Sequence, residues 1–410
     1  MTAEPANGES RYGEKIIGAG LKKMRTTLTA ARLIGPEKVI ENPVVVIEDG
    51  VIASIAPRTE AETPAGKQLD FAGCTVTAAY FDVHCHGSAG HDVMEATPEA
   101  FATIGKFLAS HGVGAYLPTT VTMPKDITLK SLEGMAKLVG KHEGGPRAMG
   151  IHIEGLFLSP KKKGAHPERL LLTPSVEFFD KMWEASAGTI KLMTIAPELP
   201  NALEVIARAT SLGVRMSMGH SNANADEAKA GVKAGAASAT HTYNAMRNFD
   251  HRAPGLLGEV LTNDELFAEV ICDGFHVDPA AVEIYWKCKG PERAILITDA
   301  MVAAGMPDGK YKLGELDVQV IGGKCVLEGD TLAGSTLTLD RGVRNFAKFT
   351  GASIDAAARL ASRNPARMTG LDGEVGVLAA GRTADITVLS AEHEVVATIL
   401  RGEQVGVSTS

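Results

Sequence analysis

The chain has 410 residues, and its 41 lysines and arginines against 49 aspartates and glutamates give a net charge of -8. This length fits one barrel-sized domain with a small accessory, or two medium domains. The acidic balance, without a cluster of basic and aromatic residues, argues against a nucleic-acid partner. No apolar run approaches the roughly 20 residues that span a bilayer, and the amino-terminal residues lack the apolar core of a signal peptide. We therefore expect no membrane partner.

The cysteine pattern indicates a reducing compartment. The five cysteines are odd in number and form no Cys-X-X-Cys pair. Such a pattern is typical of reduced, mostly buried thiols rather than of a disulfide framework. We therefore predict a cytoplasmic protein.

Both chain ends contain short apolar runs that are typical of β-strands. Residues 1–26 lack a clear apolar period and are predicted to be a flexible tail. Apolar runs at 28–33, 44–47 and 51–55 follow, and Asp49-Gly50 between the last two is a hairpin signal. Runs at 384–389 and 395–400 are similar. We predict a small β-sandwich domain formed by both chain ends, from residues 27–74 and 371–410.

The central part, 75–370, alternates strand-like and helix-like segments. Helical spacing is clear at 98–111, 128–141, 202–212 and 224–234. Eight such units over about 250 residues are the expected size of a (β/α)8 TIM-type barrel. A doubly wound open sheet is the alternative, less favoured because no Gly-X-Gly-X-X-Gly turn follows the first strand. The predicted strands are 75–84, 114–119, 148–154, 190–196, 214–219, 236–241, 266–273 and 294–298.

A Gly-rich segment, 306–334, interrupts the alternation after the eighth strand and is predicted to be a hairpin insertion. Helical spacing returns at 340–349 and 354–362. These helices would complete the barrel.

The first barrel strand ends in Tyr-Phe-Asp-Val-His-Cys-His-Gly, residues 80–87. His84 and His86 are two residues apart, so in a strand both imidazoles project from one face. We expect Gly87 to let the chain leave the strand in a backbone conformation that other residues resist. By itself the pair is weak evidence for a metal site.

Four more polar residues follow predicted strands. Glu154 closes the third strand, His220 follows the fifth, His241 ends the sixth and Asp299 ends the eighth. Barrel active sites lie at these carboxyl ends. With His84 and His86 they make four imidazoles and two carboxylates, a ligand set that suits divalent metals such as zinc or ferrous iron.

These motifs resemble those of the amidohydrolase superfamily and, within it, the N-acetylglucosamine-6-phosphate deacetylase family. The resemblance extends from about Thr27 to the end. It rests on the first-strand motif and on Ile-Glu-Gly-Leu-Phe-Leu-Ser-Pro (153–160), Lys-Gly-Ala-His-Pro (163–167), Gly-His-Ser-Asn-Ala (219–223), Thr-His-Thr-Tyr-Asn-Ala-Met (240–246) and Leu-Ala-Gly-Ser (332–335).

The resemblance implies a barrel with a small β-sandwich, usually in a homodimer. It implies that Glu154, His220 and His241 bind one metal. His84 and His86 would then hold a second metal that shares Glu154. It also makes Asp299, beside the metals, the catalytic acid/base. The cofactor would be two divalent ions of zinc, iron, manganese or cobalt.

The resemblance also implies a small amino-sugar phosphate as substrate. His166 matches a residue that contacts the substrate and could stabilise the oxyanion. The phosphate contacts would be Asn244, the backbone of Ala245, Arg252 and His276. His152 shares a strand face with Glu154 and is interpreted as a neighbour of the site rather than a ligand.

Alternative functions remain open at this stage. Leu156 stands where the family usually has proline, and with Tyr243 it is expected near the barrel mouth, so the substrate could be a related N-acetylhexosamine phosphate such as the galactosamine form. Another alternative is a different amide hydrolase of the superfamily, acting on a dipeptide or a cyclic amide. A third is a non-catalytic scaffold, disfavoured because the proposed ligands are all present.

Overall fold

A computed structural model describes residues 24–61, 66–141 and 144–406. Within these ranges, no helix is both long and apolar enough to cross a membrane.

The strands and helices alternate through the middle of the chain. The strands are β1 (Arg25–Ile34), β2 (Val39–Glu41), β3 (Pro43–Glu48), β4 (Val51–Pro57), β5 (Lys67–Ala78), β6 (Tyr80–Cys85), β7 (Gly87–Ser88), β8 (His91–Asp92), β9 (Val113–Pro118), β10 (Arg147–Ala148), β11 (Ile151–Ile153), β12 (Ile190–Ile195), β13 (Arg215–Met218), β14 (Ala236–Ala239), β15 (Phe267–Ile271), β16 (Ala294–Ile297), β17 (Gly309–Leu313), β18 (Leu316–Ile321), β19 (Lys324–Val326), β20 (Ile386–Leu389), β21 (Val395–Leu400) and β22 (Glu403–Gly406). The helices are α1 (Pro98–Ser110), α2 (Lys125–Ala136), α3 (Val176–Ala185), α4 (Ala202–Ser211), α5 (Ala225–Ala234), α6 (Gly255–Thr262), α7 (Pro279–Arg293, broken at Gly290), α8 (Leu339–Thr350), α9 (Ile354–Leu360) and α10 (Arg363–Thr369), with 3-10 helices at Val93–Glu95, Pro160–Lys162 and Glu168–Leu170.

Eight parallel strands form the predicted (β/α)8 barrel. Strands β11 to β16 pair in sequence order, and β6 pairs with β9. A parallel bridge from Thr119 to His152 joins β9 to β11, and a second from Cys85 to Ala300 joins β6 to the end of β16. The sheet therefore closes on itself, which excludes the open doubly wound alternative. The main apolar cluster packs the outward-facing strand residues against the helices.

The two chain ends share one mixed sheet of eight strands. Its order is β22-β21-β20-β5-β1-β3-β4, with β2 paired to β1. Asp49 and Gly50 both have positive φ between β3 and β4, as the hairpin signal predicts. An apolar cluster that includes Leu28, Val45 and Ile386 forms a core separate from that of the barrel.

The sheet boundaries differ slightly from those expected. Residues 1–23 of the predicted tail lie outside the described residues, but Arg25 and Thr26 belong to β1, where they pair with Glu48 and Ile47. The predicted first barrel strand, 75–84, is divided at Ala79: its first part pairs with β1 and β20, and its second part enters the barrel. The division into a small domain (27–74 and 371–410) and a barrel domain (75–370) stays a prediction.

The insertion after the eighth strand is a three-stranded antiparallel sheet, β17-β18-β19. The turn between β17 and β18 lies against the loop after β9, because a Cβ added to Gly314 would meet Val121 at 3.0 Å and Met123 at 3.2 Å. Arg169, in the loop after β11, forms an ion pair with Glu315 in the same turn. The insertion thus forms one wall of the barrel mouth.

Candidate metal centre and substrate cavity

The predicted ligands meet at the carboxyl ends of the barrel strands. His84 lies near the end of β6 and His86 just after it, while Glu154 follows β11. The remaining three also follow strands: His220 follows β13, His241 follows β14, and Asp299 follows β16. All six side chains are buried or nearly so.

Glu154 lies at the centre of this arrangement. Its Oε1 is 3.0 Å from Nε2 of His241 and 3.3 Å from Nε2 of His220. Its Oε2 is 3.3 Å from Nε2 of His86 and 3.6 Å from Nε2 of His166. The two carboxylate oxygens therefore face different sets of imidazoles.

Asp299 closes the side of the site that faces β6. Its Oδ1 is 3.1 Å from Nε2 of His86 and 3.5 Å from Nε2 of His84. The two histidine Nε2 atoms are 3.2 Å apart. His84, His86 and Asp299 form one group of close donor atoms, and Glu154, His166 and His220 form another.

When their rings are neutral, three histidines present an unprotonated Nε2 to this centre. Nδ1 of His86 lies 3.0 Å from the carbonyl oxygen of Thr119, and Nδ1 of His220 lies 3.1 Å from that of Lys162. A carbonyl can only accept, so each Nδ1 carries the proton and each Nε2 is a lone pair in the neutral ring. Nδ1 of His84 faces a carboxylate oxygen of Glu269 at 3.3 Å, which places its proton in the same way.

Lone pairs and carboxylates that converge in this way favour a positive charge between them, either a metal ion or a proton on an imidazole. Burial lowers the pKa of His86, but Asp299 and Glu154 raise it to about 9. Nε2 of His241 lies 3.0 Å from Nε2 of His220, a contact that two unprotonated nitrogens would not make alone. Ligands of a tetrahedral zinc ion at its usual bond lengths stand about 3.3 Å apart. The separations of the donor atoms from Glu154, 3.0 to 3.5 Å, fit this spacing. The residues present therefore fit a divalent metal.

The carboxylates are ionised in this environment. Burial raises the pKa of Glu154, but the neighbouring His84, His166, His220 and His241 lower it more, so that it falls well below its ordinary value. The pKa of Asp299 is also lowered, because His84 and His86 outweigh the effect of burial. Burial lowers the pKa of His220 to about 4, which keeps that ring neutral at neutral pH.

The ligand-bearing loops adopt uncommon backbone conformations. His220, His241 and Asp299 have φ values of 45°, 28° and 51°. Non-glycine residues in this region cost of order 1–3 kcal/mol each and concentrate at functional sites. The surrounding hydrogen bonds hold these turns. For example, Ser335 of the Leu-Ala-Gly-Ser motif donates its N–H to the carbonyl of Asp299 at 2.8 Å and its hydroxyl to that of Thr298 at 2.6 Å.

Gly87 is needed for a reason other than the one expected. Its φ is not positive. A Cβ at this position would lie 2.1 Å from the carbonyl oxygen of His91, because β7 and β8 form a tight hairpin there. Close approach of two backbones, and not a special dihedral angle, selects glycine.

His152 lies beneath the ligands, as a neighbour of the site. Its Nδ1 donates to the carbonyl of Val83 at 3.1 Å, and its Nε2 meets Oγ1 of Thr194 at 2.9 Å. The hydroxyl oxygen of Thr194 lies 2.9 Å from that of Thr240, and the Thr240 hydroxyl donates to the hydroxyl oxygen of Ser217 at 2.7 Å. Burial lowers the pKa of His152 well below its ordinary value, so the ring is neutral. This series of hydrogen bonds connects the strands beneath the centre.

A cavity of about 330 Å³ opens above the metal ligands. Of the predicted substrate contacts, His166, Asn244, Ala245 and His276 line it. Arg252 does not line it; this residue is exposed in the loop after β14. The insertion supplies the opposite wall through Leu313, Asp330, Thr331, Leu332 and Gly334.

Leu156 and Tyr243, which we expected near the barrel mouth, are not among the residues that line the cavity. Leu156 is 2% exposed and has a φ of 68°. Proline is fixed near -65°. The backbone at this position is thus incompatible with the residue that the resembled family usually carries, and the N–H of Leu156 is used in a 3.1 Å bond to Oγ1 of Thr122.

The loop after β15 presents His276 to the cavity. Nδ1 of His276 lies 2.7 Å from Oδ2 of Asp273, and Oδ1 of Asp273 accepts the backbone N–H groups of Phe275 and His276. Burial raises the pKa of Asp273, but these bonds lower it below its ordinary value. The ionised carboxylate fixes the orientation of the imidazole, with Nε2 available to a ligand.

Sequence reasoning missed three residues that hold the site together. Thr119 and Thr122 bond to His86 and His166, and Glu269 bonds to His84. The sequence contained one indication of the role of Glu269, because a charged residue in the apolar run 266–272 must have a buried partner. The threonines left none, since threonine is common in strands and their ends.

The chain is similar to known proteins over most of its length. The model of the amidohydrolase family matches residues 75–405. N-acetylgalactosamine-6-phosphate deacetylase of Escherichia coli O157:H7 is 37% identical over 380 residues, which cover 93% of this chain and 99% of that protein. N-acetylglucosamine-6-phosphate deacetylase of Bacillus subtilis (strain 168) is 34% identical over 374 residues, 90% of this chain and 94% of that protein. The crystal structure of N-acetyl-D-glucosamine-6-phosphate deacetylase from Mycobacterium smegmatis superposes with a TM-score of 0.87 at 34% identity and covers 93% of this chain and 100% of that one.

Proposed function

The chain belongs to the amidohydrolase family, and on that premise we propose that it is a metal-dependent deacetylase that converts N-acetylglucosamine 6-phosphate to glucosamine 6-phosphate and acetate. One observation carries the proposal. Five of the six proposed metal-binding side chains, all except the fully buried His84, line a cavity whose wall also presents Asn244, Ala245 and His276, the groups suited to a phosphate. Relatives with amino-sugar-phosphate deacetylase activity in their names match nearly the whole chain.

The ligands divide between two metal ions in this proposal. Glu154, His220 and His241 would hold one ion, and His84 and His86 would hold a second with Asp299 beside it. Oε1 of Glu154 faces His220, His241 and His84, and Oε2 faces His86, so that this carboxylate lies between both sets. A divalent ion held there would lower the pKa of a bound water towards ~7 and polarise the amide carbonyl. Zinc, iron, manganese and cobalt all suit these ligands.

Asp299 is the proposed general base and acid. It is ionised, as a base must be, because His84 and His86 lower its pKa. It accepts the proton of the attacking water and then delivers it to the amine nitrogen as the C–N bond breaks. Without the second transfer the tetrahedral intermediate would expel the water oxygen instead of the amine.

His166 is the proposed donor to the developing oxyanion. Its Nδ1 lies 2.8 Å from Oγ1 of Thr122, which also accepts the N–H of Leu156. We propose that the Thr122 hydroxyl donates its proton to Nδ1 of His166, because this ring nitrogen is the hydrogen-bond acceptor that the hydroxyl meets among the described residues. The proton of the imidazole then lies on Nε2, which faces the cavity.

The phosphate is bound by Asn244, the backbone of Ala245 and His276 in this proposal. We further propose that the chain acts as a homodimer and that Arg252 reaches the phosphate of a neighbouring subunit. Arg252 is exposed and lies outside the cavity of its own chain. Phe249, three residues earlier, is 57% exposed, and Phe275, next to His276, is 46% exposed. Apolar side chains of this size at the mouth are suited to contact with a second copy.

N-acetylgalactosamine 6-phosphate is the second candidate substrate, because a relative at 37% identity is named for the galactosamine sugar. The two sugars differ only in the orientation of one hydroxyl group. A dipeptide or cyclic amide is less consistent with the residues lining the cavity, since such substrates have no phosphate for Asn244 and His276 to bind.

We also propose a cytoplasmic location. Each of the five cysteines is free. Cys85, Cys272 and Cys325 are buried, where burial raises the pKa of the thiols and leaves them unreactive. A reducing compartment is compatible with this pattern.

The test is acetate release by zinc-loaded protein from four sugars: the N-acetyl derivatives of glucosamine and galactosamine, each with and without the 6-phosphate. We expect both phosphorylated sugars to exceed their unphosphorylated forms at least about 100-fold in kcat/KM, since a lost charge-assisted phosphate contact costs about 1.5–3 kcal/mol. The faster epimer identifies the substrate. No release from any phosphorylated sugar, or equal release without phosphate, would overturn the proposal.

A further inference from the structure

Glu269 is a fully buried carboxylate in the middle of β15. Its side chain is 0% exposed, between the apolar residues Ala268 and Val270. A buried carboxylate is unfavourable unless donors or positive charge compensate for lost hydration. Its partners therefore indicate what it does.

Those partners are two loops of the metal centre. Oε2 of Glu269 lies 3.3 Å from Nδ1 of His84 and accepts the backbone N–H of His241 at 3.3 Å. Oε1 has no hydrogen-bond partner among the described residues. The carboxylate therefore bonds the imidazole of one ligand and the backbone of another, and it is not fully compensated by them.

We propose that Glu269 is a positioning residue that prepares His84 for a cation, an assignment that rests on the proposed metal-dependent function. Its carboxylate accepts the Nδ1 proton of His84. Nε2 is then a lone pair, directed at the space it shares with Glu154 and Asp299, 3.5 Å from an oxygen of each. A carboxylate behind a ligating imidazole also makes that imidazole a stronger donor.

The influence of the Glu269 carboxylate on metal binding is specific to one of the two proposed ions. His86 and His220 donate their Nδ1 protons to neutral carbonyls, those of Thr119 and Lys162. Only His84, among the four imidazole ligands of the described chain, has a carboxylate behind it, and Nδ1 of His241 has no partner there. Glu269 thus adds a negative charge beside the His84–His86 pair. That charge favours occupation of the second site over the first.

The chain offers a matched control in Asp82. It is also 0% exposed and lies on β6, two residues before His84. Its oxygens bond only the backbone N–H groups of His84 and Thr298, both at 3.3 Å, and the hydroxyl of Thr298 at 2.5 Å. The oxygen of asparagine can still accept the two N–H groups, and its NH2 group can donate to Oγ1 of Thr298, whose hydroxyl then donates to the carbonyl of His84 at 3.3 Å. Asp82→Asn therefore removes a buried carboxyl near the centre without changing the partner of any imidazole.

The test is a zinc titration of metal-free protein in competition with a chromophoric chelator, for the unmodified chain and the variants Glu269→Ala, Glu269→Gln and Asp82→Asn. We expect Glu269→Ala to weaken the second zinc ion 10- to 100-fold. Glu269→Gln keeps the volume and an oxygen but loses the charge, and should weaken it about 10-fold. In Glu269→Gln, whose amide oxygen can still accept the N–H of His241, the first ion should change less than threefold, and Asp82→Asn should bind both ions like the unmodified chain. Far-ultraviolet circular dichroism checks folding, and Glu269→Gln decides the result if Glu269→Ala does not fold.

A second measurement separates positioning from packing. In a His84→Ala background, Glu269→Gln should have no further effect on zinc binding, because its partner is gone. A further loss there, or equal weakening of both ions, would assign Glu269 to packing and overturn the proposal. Second-ion affinity that is unchanged in Glu269→Gln would overturn it as well.

The zinc-binding test of Glu269 and the acetate-release test of the proposed function can fail independently. Protein that binds two zinc ions but releases no acetate from any amino-sugar phosphate would refute the substrate and leave the role of Glu269 intact. Unmodified protein that binds at most one zinc ion would overturn the role of Glu269, whatever its activity.

Discussion

Nε2 of His241 lies 3.0 Å from Oε1 of Glu154, the shortest contact that this carboxylate makes with an imidazole of the site. The other oxygen, Oε2, is 3.3 Å from Nε2 of His86. One glutamate thus stands between ligands that come from β14 and ligands that come from β6. If two ions bind, Glu154 is the residue that both would share.

Glu154→Gln should therefore weaken both ions, in contrast to variants of a ligand on one side. The amide keeps the volume but has a nitrogen where one oxygen donor is needed, and it carries no charge. We expect zinc affinity at both sites to fall at least about 100-fold and kcat/KM to fall at least about 1000-fold. Metal content after gel filtration and acetate release measure the two effects.

The control for this variant is Glu177→Gln on α3, whose side chain is 80% exposed in a pair with Lys181. It should retain both metals and full turnover. If Glu154→Gln lost only one ion, Glu154 would belong to a single site and the shared position would be refuted.

Asp299→Asn should separate metal binding from proton transfer. The asparagine oxygen can still face His86, 3.1 Å from the present Oδ1, but the amide cannot accept a proton at neutral pH. We expect zinc content near that of the unmodified chain and a fall in kcat of about 100- to 10,000-fold, the usual contribution of a general base. Elemental analysis and initial rates at saturating substrate check both parts. Retained kcat would remove Asp299 from the acid/base role.

The barrel was predictable because its strands are buried on both faces. Such strands read as continuous apolar runs, and all eight runs correspond to barrel strands in the structure. The boundary at Ala79 was missed, since the apolar run continues through it while the hydrogen-bond partners change from β1 and β20 to β9. Apolarity alone does not say which sheet a strand joins.

The histidines and carboxylates near the carboxyl ends of strands were predictable, and the residues that support them, Thr119, Thr122 and Glu269, were missed. The residue types at the carboxyl ends of β6, β11, β13, β14 and β16 predicted the convergence that the structure has. Glu269 lies inside β15, and its proposed role depends on its contact with His84 on β6, a strand far away in the sequence. No spacing along the chain encodes that contact. The position of Arg252, away from the cavity of its own chain, was likewise beyond what residue type indicates.

His276→Gln should affect the binding of the phosphorylated substrate more than its turnover. The ring lines the cavity away from the metal ligands, and its orientation is fixed by the 2.7 Å bond to Asp273. Loss of one hydrogen bond to a charged phosphate costs about 1.5–3 kcal/mol, which is a 10- to 100-fold rise in KM. kcat should change less than threefold.

Asp273→Asn is the companion variant, because it keeps the shape of the loop and removes only the charge behind His276. It should raise KM for the phosphorylated sugar in the same direction but less than His276→Gln does. Neither variant should alter kcat/KM for the unphosphorylated sugar. An equal loss with both sugars would place His276 outside the phosphate site.

Asp340 predicts a defined pH dependence of stability. It joins α8 to the end of α1, with Oδ1 3.1 Å from Nδ1 of His111 and Oδ2 3.0 Å from Nη1 of Arg344. Burial raises the pKa of Asp340, but the bond with His111 and the charge of Arg344 contribute to lowering it, to about 2. A folded pKa below the unfolded value of about 3.9 stabilises the fold above that unfolded value, and the stabilisation is lost as the pH falls through the folded value.

Asp340→Asn should therefore lower the free energy of unfolding at pH 7 by roughly 2–3 kcal/mol, the equivalent of a shift of roughly two pKa units. The difference from the unmodified chain should persist down to about pH 5 and shrink steadily towards pH 2. Guanidinium unfolding of both metal-free proteins at each pH measures it, which removes metal release as a second variable. Asp317→Asn, whose carboxylate is 88% exposed beside Lys312, is the control and should leave stability unchanged at every pH. A difference for Asp340→Asn that is the same at pH 7 and pH 2 would show that the hydrogen-bond geometry, and not the charge of the carboxylate, stabilises this junction.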